Sequence, residues 1–164
     1  MNGNPFSSDR FLPVGLDIRG KSCLVVGGGS VGTRKVNNLV RAGAKVTVVS
    51  PAVTKDLTAQ IETGGVRWVP DSFREECLDG VFLVVAATDD ESMNARVVSR
   101  AGERGILVCD ASSSDRSQII FGALHRADDG VTIAVFTDGR DPAGARRTRD
   151  TIARLLREDN KLED

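Results

Sequence analysis

Apolar residues along this chain come in short continuous runs that alternate with stretches where they recur every three or four positions. SCLVVGGG is an apolar run of strand length, and KVTVVSP is a second. Between them, Gly32, Val36, Leu39 and Val40 repeat at helical spacing, and Gly43 stands where that helix stops. The order is that of a βαβ unit. Leu57 and Ile61 ahead of Gly64-Gly65 predict a second helix, VRWVP a third strand and VFLVVAAT a fourth. DDESMNARVVSRAGERG then reads as a helix with acids in its first turn and basic residues near its end, as the helix dipole favours, stopped by Gly105. ILVCD is the fifth strand. The alternation predicts an α/β fold, a Rossmann-type doubly wound parallel sheet, over residues 1–115.

After Asp110 the texture changes. SSSDRS has loop composition, and the apolar runs QIIFGALHR and VTIAVFT flank Asp128-Asp129-Gly130, which signals a hairpin. Asp141-Pro142 supplies a cap and a first-turn proline for a helix whose Ala145, Ile152, Leu155 and Leu156 form an expected apolar stripe. Residues 116–164 are therefore expected to form a hairpin and C-terminal helix, ending in a polar, frayed tail, REDNKLED.

A chain of 164 residues fits one domain with an appendage. Its 22 basic and 23 acidic residues leave no electrostatic footprint for nucleic acid. The longest apolar runs, Cys23 to Val26 and Val81 to Ala87, are too short to span a bilayer, so no membrane partner is expected, and MNGNPFSSDRF lacks the blocks of a signal peptide. Cys23, Cys77 and Cys109 are widely spaced and read as buried thiols in a reducing compartment, which makes the expected location cytoplasmic and gives no metal site.

The candidate chemistry starts at Gly27-Gly28-Gly29-Ser30-Val31-Gly32, a G-x-G-x-x-G that directly follows a strand and opens a helix. Gly27 permits the tight turn, Gly29 lets a pyrophosphate approach the backbone, and Gly32 lets the helix sit close to the sheet. The phosphates then meet the helix N-terminus, where Ser30 and Val31 begin it. At the end of the second strand, many such domains carry an acid that holds the adenosine ribose hydroxyls. Here Ser50, Pro51 and Ala52 occupy that end, with Lys55 nearby, so the residues alone leave NAD and NADP open.

VVGGGSVGTRKVNNLVRAGAKVTVVSP followed by VAATDDESMNARV resembles precorrin-2 dehydrogenase, the N-terminal module of siroheme synthase, from about Phe11 through the helix after Asp141-Pro142. The resemblance implies NAD as cofactor and the tetrapyrrole precorrin-2 as substrate, oxidised to sirohydrochlorin on the path to sirohaem. It also implies a homodimer built by the hairpin, which suits strands too apolar to stand as an isolated ribbon. Thr88, at the carboxyl end of strand four, is expected near the nicotinamide ribose, while Asp89 and Asp90 read as cap and first-turn acids and Asn94 as a surface or packing residue.

Two departures stand out. Where the family places an aspartate regarded as the catalytic base, direct alignment puts Ser112, with Cys109 at the position of an asparagine; Asp110 is the carboxylate candidate. The chain also stops soon after the hairpin's helix, leaving most of the family's helical domain unaccounted for and putting metal chelation in doubt. His125, the only histidine, reads as a surface or interface residue. Arg140, Arg146 and Arg147, with Arg149 behind them, are candidates for forked contacts to substrate carboxylates, against the alternative of a solvated helix face. Two other functions fit the same residues: a non-catalytic NAD-binding regulator, or a tetrapyrrole carrier that has lost turnover.

Overall fold

Residues 10–127 and 130–159 are described by the computed structural model, and those from Gly15 to Ile119 form one compact unit. It is built on β1 (Ser22–Val26), α1 (Ser30–Arg41), β2 (Lys45–Val49), α2 (Lys55–Glu62), β3 (Val66–Val69), β4 (Leu83–Ala86), α3 (Glu91–Glu103) and β5 (Leu107–Asp110). All neighbouring pairs are parallel, in the order β3-β2-β1-β4-β5. The chain winds outward one way through β2 and β3, then returns to add β4 on the other side of β1. That reversal is the doubly wound topology, and it opens a crevice beyond the carboxyl ends of β1, β2 and β4.

The apolar runs become strands because both faces of the sheet are covered. Val25, Val48, Val84 and Val85 have no solvent exposure at all. One layer of the core joins Leu24, Val26, Val49, Val84 and Val108 to Val97 and Ala101 of α3 and to Phe73 and Leu78. Leu78 belongs to a short 3-10 turn, Glu75–Leu78, which the sequence reading did not anticipate; it takes the place of a full helix between β3 and β4. Cys23 and Cys109 are buried as expected, and burial pushes both thiols up, Cys23 to about 11. Cys77 is only half-buried, at the end of that turn.

A second unit joins residues 10–14 to 120–159. It contains β6 (Ala123–Arg126) and β7 (Thr132–Val135), which pair antiparallel, and α4 (Pro142–Asp159), whose first turn is capped by the Asp141 carboxylate accepting from the Gly144 N–H at 2.7 Å. The first unit runs four residues beyond the expected limit of 115, because Gln118 and Ile119 donate their N–H groups to the Val108 carbonyl of β5. The same bonds shorten the first hairpin strand to Ala123–Arg126. The stripe of α4 is also corrected: Ala145 and Ala153 are buried, whereas Leu155 and Leu156 are 52% and 37% exposed. Asp128 and Asp129 of the expected turn, the opening segment MNGNPFSSD and the tail from Asn160 lie outside the described residues. Among the described residues, no helix is long and apolar enough to cross a membrane.

Candidate functional site

The crevice at the reversal point is lined by Gly27, Gly28, Gly29, Ser50, Pro51, Ala52, Val53, Thr54, Ala87, Thr88 and Asp89. Its floor is the turn from β1 into α1. Gly27 has φ +113, a conformation open to glycine alone, and a Cβ there would run into the Ala87 carbonyl at the end of β4. A Cβ on Gly28 would strike the Ala52 carbonyl, and one on Gly32 the Gly27 carbonyl. Gly29 differs from these three: a Cβ there meets nothing within 4 Å, so its missing side chain leaves room in the crevice and not in the protein.

α1 opens directly from that turn. Gly29 is its N-cap and supplies no side-chain bond, and the first turn holds no acid. In contrast α2 is capped by Thr54, α3 by Asp90 and α4 by Asp141. The α1 N-terminus thus keeps its positive end and its donors for an anion arriving through the crevice. Gly27, Gly29, Ser50, Pro51, Ala52 and Thr88 are brought together as lining residues. Ser30 and Val31 are exposed in the first turn, and Gly32 is buried behind it; these three do not line the crevice.

The loop after β2 is stitched to the glycine turn. Gly27 donates to the Val49 carbonyl at 2.9 Å and Thr54 to the Gly28 carbonyl at 3.1 Å, while the Thr33 and Thr54 hydroxyls meet at 2.8 Å. The motif assigns no role to Gly28, although its place between two other glycines was the available signal.

Beyond β4 the wall is held by side chains. Asn94, with no solvent exposure, accepts the Thr88 N–H at 3.0 Å and the Thr88 hydroxyl at 2.8 Å on Oδ1, and donates from Nδ2 to the Thr88 carbonyl at 2.9 Å and to Ser112 Oγ at 3.2 Å. It is a buried clasp between the ends of β4 and β5, not a surface residue. Asp90 behaves as its position suggests, its carboxylate accepting from the Ser92 and Met93 N–H groups at 2.8 and 3.1 Å.

Asp110 has a fully buried side chain and no idle oxygen. Oδ1 accepts from the Ser112 N–H at 2.8 Å and hydroxyl at 2.5 Å, and Oδ2 from Arg116 Nε at 2.7 Å. Burial raises its pKa, but the bonds from Ser112 and Arg116 outweigh that and hold it below the usual carboxylate range. Arg116 extends the chain to Glu91 at 3.0 Å. A carboxylate so stabilised in its ionised form is a weak proton acceptor.

In the second unit, Arg140, Arg146 and Arg147 are exposed, and Arg147 lies 3.5 Å from Asp141. Arg149 is turned inward and donates to the Leu124 carbonyl at 3.3 Å, tying α4 to β6. His125 sits half-buried in β6 opposite Ile133. Among the described residues, no three His, Cys, Asp or Glu side chains converge as metal ligands.

Residues 14–123 match the family described as putative NAD(P)-binding. Siroheme synthase 1 of Pectobacterium atrosepticum is 40% identical over 146 residues, and the siroheme synthase of Photorhabdus laumondii is 37% identical over the same length. Each alignment takes in 89% of this chain but only 30% and 31% of the relative, so the chain spans about a third of those proteins. The solved structure of SirC, a precorrin-2 dehydrogenase, superposes with a TM-score of 0.76 at 31% identity, covering 88% of this chain and 71% of SirC. With its uncapped glycine turn at the reversal point of the sheet, the chain belongs to the family of NAD(P)-binding proteins that includes SirC and the matching region of the siroheme synthases.

Proposed function

We propose that this protein is an oxidoreductase that binds NAD in the crevice and oxidises precorrin-2 to sirohydrochlorin in sirohaem synthesis. The observation that carries the reading is the pairing of an uncapped α1 N-terminus with open space at Gly29, in a chain that shares its fold and 31% of its aligned residues with a precorrin-2 dehydrogenase. Bound nicotinamide supplies the hydride acceptor. The chain's own residues do the rest. Gly29 and the first N–H groups of α1, from Ser30 and Val31, hold the pyrophosphate, with Gly27 and Gly32 shaping the turn. Ser50, Pro51 and Ala52 border the adenosine ribose, and Thr88, fixed by Asn94, borders the nicotinamide ribose.

Asp110 is assigned to positioning: it orders Arg116 and Ser112, which Asn94 links to Thr88, and leaves the proton to water or to a substrate carboxylate. Arg140, Arg146 and Arg147 are assigned to the acidic periphery of the tetrapyrrole. A homodimer through the second unit is supported by exposed Leu12, Val14, Val131, Leu155 and Leu156, all in that unit, and a monomer at micromolar concentration by sedimentation would sink it. The free thiols suit a reducing, cytoplasmic setting.

Anaerobic incubation with fresh precorrin-2 and NAD tests the whole reading: sirohydrochlorin absorbance is the expected result. Gly29→Val fills the space left for the pyrophosphate and should abolish NADH binding by fluorescence titration. Unchanged affinity would remove the site from this crevice. Asp110→Asn should keep turnover within about tenfold, where loss of a base would cost roughly a hundredfold or more. The saturated carboxylate of Asp110 also favours a second reading, a tetrapyrrole carrier without turnover. Binding of both ligands with no product would establish that one.

A further inference from the structure

We infer that the crevice accepts a dinucleotide bearing a phosphate on its adenosine 2′ oxygen about as readily as one without it. This rests on the proposed dinucleotide site and concerns its β2 end. Discriminating sites place a carboxylate there, which accepts hydrogen bonds from the ribose hydroxyls and repels a 2′-phosphate. This chain leaves β2 as Ser50-Pro51-Ala52-Val53-Thr54, and all of these line the crevice without carrying charge. The charged lining residue is Asp89, which follows β4, on the far side of β1 from β2.

The neutral wall is also committed inward. Ser50 Oγ donates to the Ala52 carbonyl at 2.7 Å, and the Ser50 carbonyl accepts the Trp68 indole N–H at 2.9 Å. Pro51 has no N–H to offer. The Thr54 hydroxyl is engaged by Thr33 at 2.8 Å and by the Leu57 N–H at 3.3 Å. Ser50 Oγ keeps a lone pair for one ribose hydroxyl, but no lining residue at this end is a carboxylate that would accept from both, so NAD gains little that NADP lacks. Immediately past this wall stands Lys55, exposed as the first residue of α2; neither it nor its neighbour Asp56 lines the crevice, so the two opposite charges beyond the wall leave this end without a net repulsion. The balance of charge at this end therefore tolerates a phosphate.

Titration of the full chain with NADH and with NADPH, followed by nicotinamide fluorescence and without tetrapyrrole, reads the inference directly. The two dissociation constants should agree within about tenfold. Ala52→Glu places a carboxylate on the exposed side of the wall and should raise the ratio of the NADPH to the NADH dissociation constant on the order of a hundredfold. Lys55→Gln should weaken NADPH by about threefold and leave NADH alone. Wild-type NADPH binding more than about tenfold weaker than NADH overturns the inference and spares the site. Failure of both dinucleotides to bind takes the site itself away.

Discussion

Between Gly27 and Thr54 the crevice wall is mainly backbone, whereas its Thr88 side is backed by a hydrogen-bonded lattice of side chains in which Asn94 and Asp110 are buried, Arg116 half-buried and Ser112 exposed. On the first side, three glycines sit where any Cβ would strike a carbonyl, so the wall exists because side chains are absent. On the second, Asn94, Ser112, Asp110 and Arg116 satisfy one another and the backbone, so the wall exists because particular side chains are present. The first is damaged by adding atoms and the second by removing hydrogen-bonding groups. Only the first gives an anion direct access to free backbone donors.

The sharpest way to break that contrast is to add atoms to the first wall. Gly27→Val forces a β-branched residue to φ +113 and drives its Cβ into the Ala87 carbonyl. Strain and overpacking together should lower unfolding stability by about 3 to 5 kcal/mol in urea titration. Gly29→Val, two residues on, should stay within about 1 kcal/mol of wild type, because its Cβ has open space. Equal losses at both positions would mean that the turn resists any side chain, and Gly29 would lose its link to the crevice.

On the second wall the larger effect belongs to Asn94→Leu, which strands the Thr88 N–H and carbonyl in a part-buried setting and should cost about 1 to 3 kcal/mol. A loss well under 1 kcal/mol would show that the clasp is dispensable. Asp110→Asn is expected to cost less, about 1 to 2 kcal/mol at neutral pH, since Asn turns a donor toward groups that already donate. The pH dependence has a definite sign. Asp110 has a lowered folded pKa, so its stabilisation is fully present above the unfolded carboxyl value of about 4 and is lost as pH falls through the folded value. The gap between wild type and Asp110→Asn in urea should therefore hold steady from pH 7 to 5 and close below about pH 4. A gap independent of pH would mean that the charge of Asp110 contributes nothing.

The sequence by itself determined what depends on near neighbours along the chain. Strand runs, the helical spacing of Val36 and Leu39, the stops at Gly43 and Gly105 and the cap at Asp90 all follow from backbone conformation and local periodicity. The glycine motif belongs with them, because its demand for positive φ at Gly27 arises within a single turn. Tertiary structure alone decided what rests on contacts between distant segments. Asn94 became a clasp because β4 and β5 pair and bring Ser112 beside it, 18 residues away. Asp110 found its partner in Arg116, in a loop that folds back onto β5. The hairpin strand was cut short by the same loop, and Leu155 was left exposed because Ala145 and Ala153 took the packed face of α4. A hydrogen bond or ion pair has short reach, and the pattern of apolar and polar positions records which face is buried but not which distant group will arrive to meet it.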